Sequence, residues 1–352
     1  MTSVSRPLST EHPAVPARPG ALGARRLIGL VVVVSLLAVT ASLSLAIGAK
    51  DVPLPAVWEA LSGVRSDADA ETVLGLRIPR TLLGVMVGAA LGVAGALIQA
   101  VTRNPLADPG ILGVNAGSAF AVAIAVGVFG ITAPTAFLWF AFAGALITTV
   151  VVYLIGAAGR GPVSPARITL AGVAIGAVLA GITSGMLLAD PKGFNAMRAW
   201  EAGIIADRGW EVMVVAGPYL LAGLALALAL GRPLNAVALG DDLARSLGSS
   251  VLRTRILTIG AITLLCGAAT AMAGPIAFVG LMIPHAARWI VGPDQRWIIA
   301  YSALLAPILL LASDILGRVL LRPGELPVGI VTAFLGAPVL ILLVRRQRAS
   351  TL

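Results

Sequence analysis

Charge is what this sequence has least of: 12% of its 352 residues are Asp, Glu, Lys or Arg, against about a quarter in soluble domains. That is too little polar surface for a soluble domain, and it excludes an ordinary cytosolic enzyme. Histidine and cysteine are nearly absent, at two and one. Metal sites draw on clusters of such side chains, so none is expected here, nor any other cofactor. The lone Cys266 lies in an apolar run, can form no disulfide within the chain, and reads as a small buried hydrophobe. Every basic residue except Lys50 and Lys192 is Arg. Neither lysine follows a glycine-rich loop and the phosphate-cradling GxxxxGK[ST] pattern is missing, so any ATP chemistry belongs on a partner chain. A net charge of +9 would suggest nucleic acid as partner of a soluble protein. In a chain this apolar, no nucleic-acid partner is expected.

What the sequence has in quantity is apolar residues, 58% of the total. A bilayer core of about 30 Å takes ~20 apolar helical residues, because every backbone polar group must be paired inside the segment. Uncharged runs that fit this ruler occupy 27–49, 81–101, 116–155, 168–189, 212–230, 256–284, 297–313 and 326–344. Two are too long for one crossing. The first, 116–155, breaks at 130–134 around Gly130 and Pro134 and should fold back as two helices. The second, 256–284, is interrupted at Gly274-Pro275 and resumes past His285 and Arg288 to about Val291, which also suggests two. Ten spans follow. They put both termini and most arginines of the short loops in the cytoplasm, whereas nine would expose Arg345, Arg346 and Arg348 on the outside, against the positive-inside rule. The expected fold class is therefore an all-α membrane protein with ten transmembrane helices, in the cell membrane. Residues 1–24, rich in Pro, Ser and Arg, are expected to be a disordered cytoplasmic tail, 25–346 the transmembrane domain, and 347–352 a cytoplasmic end. Arg25-Arg26 before an apolar stretch ending at Ser44-Leu45-Ala46 also fits a signal peptide, but 23 apolar residues exceed the usual h-region and favour an uncleaved span.

Gly84, Gly88 and Gly92 recur every four residues in the second span, leaving one face nearly bare for close helix packing. No span carries a charged residue well inside, and Asp314 and His285 read as groups near helix ends. That disfavours an ion-coupled secondary transporter, which remains the alternative from another class. No filter-like loop of repeated carbonyl-presenting glycines supports a channel. The inner loop 231–255 contains a short helix, Gly240, Asp241, Asp242, Leu243, Ala244, Arg245, Ser246, Leu247 and Gly248. Asp241 or Asp242 should cap it, Gly248 should end it, and Leu243 and Leu247 should share a face. It could lie on the membrane or fill a groove in a soluble partner. The outer loop 190–211 has room for a helix near 195–205 and enough charge to be a solvated lid. Arg77, Arg80 and Arg318 fall on the outer side, suited either to lipid phosphates or to carboxylates of a docking protein. Segments 77–95 and 253–274 both lead basic residues into a glycine-punctuated helix in opposite membrane directions, a faint inverted repeat.

Together these segments resemble the FecCD family of permeases. The stretches that carry the likeness are Arg77-Ile78-Pro79-Arg80, the run Arg103-Asn104-Pro105-Leu106-Ala107-Asp108-Pro109-Gly110-Ile111-Leu112-Gly113, the 238–248 segment, the Gly274-Pro275 to Pro284-His285 segment, and Glu325-Leu326-Pro327-Val328-Gly329 with Leu335-Gly336-Ala337-Pro338. The resemblance implies a type II ABC importer permease of ten helices. It implies a second permease subunit, identical or a sister chain, with ABC ATPase subunits below and an extracytoplasmic substrate-binding protein above. The cargo it implies is a ferric siderophore, with vitamin B12 or haem as alternatives. It further implies that Gly240–Gly248 couple to the ATPase, that Arg77, Arg80 and Arg318 dock the binding protein, and that Asn104, Pro105 and Leu106 form a cytoplasmic gate, with the 159–165 turn as its other part.

Overall fold

The computed structural model describes residues 19–48, 52–64, 67–131, 133–158, 165–190, 197–198 and 200–349. All regular structure among them is helical. The helices are α1 (Pro19–Ala46), α2 (Leu54–Leu61), α3 (Ala68–Glu71), α4 (Ile78–Thr102), α5 (Val114–Gly127), α6 (Pro134–Ala157), α7 (Pro165–Ala189), α8 (Trp210–Ala238), α9 (Asp241–Ser246), α10 (Val251–Ala273), α11 (Val279–Val291), α12 (Gln295–Leu320) and α13 (Val328–Ala349). Seven helical stretches are long and apolar enough to cross a membrane, and α5, α11 and the first part of α13 are shorter apolar helices.

The centre of the molecule is α4, packed against α8, α10, α11 and α12. Its glycine stripe explains the position. A Cβ on Gly88 would lie 2.6 Å from the Pro307 Cα of α12, and one on Gly92 would lie 2.5 Å from the Ser302 carbonyl oxygen, so the two backbones touch along the bare face. At the other extreme, α1 and α7 expose rows of apolar side chains, among them Val31, Val32, Leu170, Val173 and Val178, which only lipid or another apolar surface can cover.

Neither α5 nor α11 reaches through the bundle. At 14 and 13 residues, with ~1.5 Å per residue, each is about half the length of a crossing helix. Each is completed by a segment that re-enters the bundle, irregular but for a 3-10 turn at Pro109–Leu112. Residues 103–113 climb back along α4 to the start of α5, and residues 274–278 descend from the end of α10 to the start of α11. The two starts meet beside the middle of α4, where a Cβ on Gly280 would be 2.9 Å from the Pro109 ring and 3.0 Å from the Leu91 carbonyl oxygen. The two segments share a pattern, Pro105-Leu106-Ala107-x-x-Gly110 and Pro275-Ile276-Ala277-x-x-Gly280. The helices that precede them run in opposite directions, since the start of α10 lies beside the end of α4, where Arg255 and Arg103 both meet Asp241.

Several expectations are refined. Helix α1 already begins at Pro19, so residues 19–24 of the expected tail are helical; residues 1–18 lie outside those described, as do 350–352 of the expected C-terminal end. Helix α8 passes Arg232 and Pro233 to Ala238, because Leu234 and Val237 beyond the proline are fully buried. The inner loop is shortened accordingly. The outer segment is not a solvated lid where it is described: Met197, Trp200 and Ile205 are buried. Its backbone is bonded to both neighbours, Ile204 N to Ala273 O at 2.8 Å and Gly329 N to Gly203 O at 3.0 Å.

Candidate functional site

Two polar clusters stand out, one at each end of α4. At the end where α4 begins, Arg77, Arg80 and Arg318 line a single depression together with Asp207 and Glu325. Sequence spacing could not have brought residue 318 to residues 77 and 80. The meeting point is Asp314, near the end of α12 as expected but buried to 1% exposure. Arg80 grips it with two nitrogens, Nη2 at 2.7 Å from Oδ1 and Nε at 3.0 Å from Oδ2. Arg318, one turn along α12, donates Nε to Oδ2 at 2.9 Å. The free arm of Arg80 reaches Glu325 Oε2 at 2.7 Å.

Arg77 and Arg318 do a second thing. Arg77 Nη1 donates to the carbonyls of Leu45 and Ala46 at 2.7 Å each, and Arg318 Nη1 to those of Ser44 and Ile47 at 2.8 and 2.9 Å. These are the carbonyls that the end of α1 leaves without helical partners, and cations suit a helix C-terminus. Both guanidiniums are consequently buried, and Arg80 is the one with part of its side chain open to the depression. Nearby Arg208 has its pKa lowered by burial, with Asp207 acting against that.

At the other end, α9 is set off by Gly240 at φ +115° and closed by Gly248 at φ +77°. Neither aspartate caps it through its side chain, because Gly240 holds the cap position and Asp241 and Asp242 are its first two residues. Leu243 and Leu247 stand exposed on it while Ala244 is buried. Asp242 faces outward to Arg245 at 3.0 Å. Asp241 turns inward, accepting from Arg255 Nη2 at 3.0 Å and pairing with Arg103. Close by, Asp294 caps α12, accepting from the Arg296 backbone N at 3.1 Å and Asn235 Nδ2 at 2.8 Å. Burial alone would raise its pKa, but the hydrogen bonds from Arg296 and Asn235 prevail and hold it down at about 2.

Asn104, Pro105 and Leu106 follow at the turn after α4. The Asn104 Oδ1 accepts from Leu106 N at 2.9 Å, closing a small side-chain turn that Pro105 stiffens. Most of the 159–165 turn, residues 159–164, lies outside those described. Above the turn sits a residue that the sequence reading passed over. Gln99, 2% exposed, donates Nε2 to the Leu281 carbonyl at 3.1 Å and reaches the carbonyls of Gly280 at 3.5 Å and Ala107 at 3.4 Å. Arg288 Nη2 donates to its Oε1 at 3.3 Å. It thus ties the 103–113 segment and the first turn of α11 to α4. A carboxamide alone in an otherwise apolar stretch was the available signal. Among the described residues no group of three His, Cys, Asp or Glu side chains is placed to hold a metal ion.

The sequence model of the FecCD transport family matches residues 36–346. Among curated relatives, the ferric enterobactin transport system permease protein FepD of Escherichia coli is 51% identical over 93% of this chain and 98% of that one. The iron(3+)-hydroxamate import system permease protein FhuB of Bacillus subtilis is 40% identical over 89% and 82%. The hemin transport system permease protein HmuU of Yersinia pestis is 35% identical over 94% and 98%. Among solved structures, an inward-facing ABC transporter described as of metal-chelate type superposes with a TM-score of 0.79 at 27% identity, covering 94% of this chain and all of that one.

Proposed function

This chain belongs to the FecCD transport family, and from that membership we propose that it is the transmembrane permease subunit of an ATP-binding cassette importer for ferric siderophores. The observation that carries the reading is the end-to-end kinship with the enterobactin permease, joined by further iron-chelate permeases among the relatives. The iron is cargo and travels inside its organic chelator, so the path needs width rather than ligands.

Ten crossings accommodate the architecture, with 103–113 plus α5 as the third and 274–278 plus α11 as the eighth. Both termini then lie in the cytoplasm, 25–346 is the permease domain, and 347–352 a short inner end. The Arg77 end of α4 is the outer one. There the partly open Arg80 receives a carboxylate of the binding protein in exchange for Glu325, while Arg77 and Arg318 hold the surface in shape. At the inner end Gly240, Asp241, Asp242, Leu243, Ala244, Arg245, Ser246, Leu247 and Gly248 form the coupling element, its exposed leucines filling a cleft in the ATPase. Asn104, Pro105 and Leu106 narrow the inner exit. A second permease, identical or sister, covers the exposed apolar faces that the fold leaves on one side.

The test is uptake of iron-loaded siderophore into proteoliposomes containing this chain, its ATPase and its binding protein. ATP-dependent accumulation that requires all three components is expected. Accumulation driven by an ion gradient with this chain as sole protein would sink the proposal in favour of a secondary transporter.

A further inference from the structure

The inner cluster contains a residue to which nothing so far gives a role. Arg103 is the cap of α4 and sits at φ +53°, a left-handed conformation that non-glycine residues hold only where their surroundings impose it. Three contacts do so. Its backbone N–H remains tied to the Ala100 carbonyl at 3.4 Å, its Nε donates to the Val237 carbonyl in the last turn of α8 at 3.0 Å, and its Nη2 pairs with Asp241 at the start of α9.

The residues that follow form an unbroken bonded path. Asn104 fixes Leu106 through its side chain and Ala107 through its carbonyl at 3.1 Å. Gln99 engages Ala107, and Asp108 Oδ1 accepts from Gly110 N at 2.8 Å at the foot of α5. Displacing α9 therefore pulls on the re-entrant segment 104–113 through the Arg103 side chain. The repeat-related segment 274–278 starts at the opposite end of the bundle, after α10, and is remote from α9. Arg255 also holds Asp241 and lines a cavity with Ile111 and Leu112, but it sits in α10, whereas Arg103 is joined to the segment through its own backbone.

We infer that Arg103 is the positioning residue that transmits movement of the α9 coupling element to the 104–113 segment, and that it does so for one re-entrant segment only. This rests on the coupling role proposed for α9.

The whole importer in proteoliposomes tests it, with two readouts: ATP hydrolysed and siderophore iron imported. Arg103 does not face the ATPase side of α9, so Arg103→Gln is expected to keep the ATPase bound and hydrolysing while import per ATP falls by about tenfold or more, the range of coupling between linked sites. Import per ATP equal to that of the unaltered protein would overturn the inference. A second arm covers a folding defect. Arg103→Cys with Asp241→Cys, in a Cys266→Ala background, is bridged by a short thiol cross-linker. Restored import on bridging supports a rigid link, whereas hydrolysis continuing with import lost on bridging overturns it. Failure of the coupling reading itself would show differently, as unchanged ATPase binding and coupling when Leu243 and Leu247 are made charged.

Discussion

The Gln99 side chain of α4 and the Leu281 carbonyl of α11 are joined at 3.1 Å inside the bundle. Pro284 within α11 has no N–H to offer the Gly280 carbonyl, and lipid supplies no donor, so carbonyls here are served from inside the bundle, Gln99 Nε2 lying 3.5 Å from the Gly280 oxygen as well.

Gln99→Leu keeps the side-chain size and removes that donor. The Leu281 and Ala107 carbonyls and Arg288 lose a partner, and each buried unsatisfied polar group costs about 1–3 kcal/mol. A lower thermal midpoint in detergent is expected. Equal midpoints for Gln99→Leu and the unaltered chain would refute the assignment.

Asp314→Ala should be among the most damaging single changes, because it leaves Arg80 and Arg318 facing each other without their common carboxylate. Breaking a buried ion pair from one side costs about 3–5 kcal/mol. Asp314→Asn retains acceptor capacity and should lie between. Expression level and thermal midpoint of the purified chain rank the three, and an undisturbed Asp314→Ala protein would contradict the network.

Acid should weaken the contact between α8 and α12 late. The folded-state pKa of Asp294 is depressed to about 2, against about 3.9 for an unperturbed aspartate. Its contribution is therefore complete above roughly pH 4 and is lost as the pH falls through about 2. Thermal midpoints from pH 5 down to 2 should fall less steeply for Asp294→Asn than for the unaltered chain. Identical slopes would remove Asp294 from the account.

Leu243→Glu with Leu247→Glu alters two side chains that are 49% and 63% exposed. The isolated permease should keep its thermal midpoint to within ~0.5 kcal/mol, as surface changes do, while losing ATPase copurification and cargo-stimulated hydrolysis. Retained copurification would count against α9 as the coupling element.

The membrane spans were legible because length and absence of charge are sufficient to find a helix that crosses lipid. The same measure could not see that α5 and α11 are half-length, since a re-entrant segment and a short helix read together as one apolar run. The repeat at Pro105 and Pro275 was visible in the letters, but the likeness was sought in the flanking helices, where 77–95 and 253–274 share little beyond glycine. Asp314 and Arg318 stand at i and i+4, a readable pair. Their burial against Arg80 was not readable, because hydropathy does not separate a face turned to lipid from one turned to protein. Nor could it show that Arg77 and Arg318 close off the carbonyls of α1, more than 30 and 270 residues away in the chain.

The ligands of Gln99 set a condition on biosynthesis. Its bond to Leu281 spans 182 residues, and ribosomes add roughly 5–20 residues per second, so α4 waits on the order of ten seconds or more for its final donor–acceptor match. During that interval the newborn chain holds an unfinished seam at mid-depth. A polypeptide interrupted before α11 leaves the seam open, with a buried carboxamide lacking its Leu281 partner.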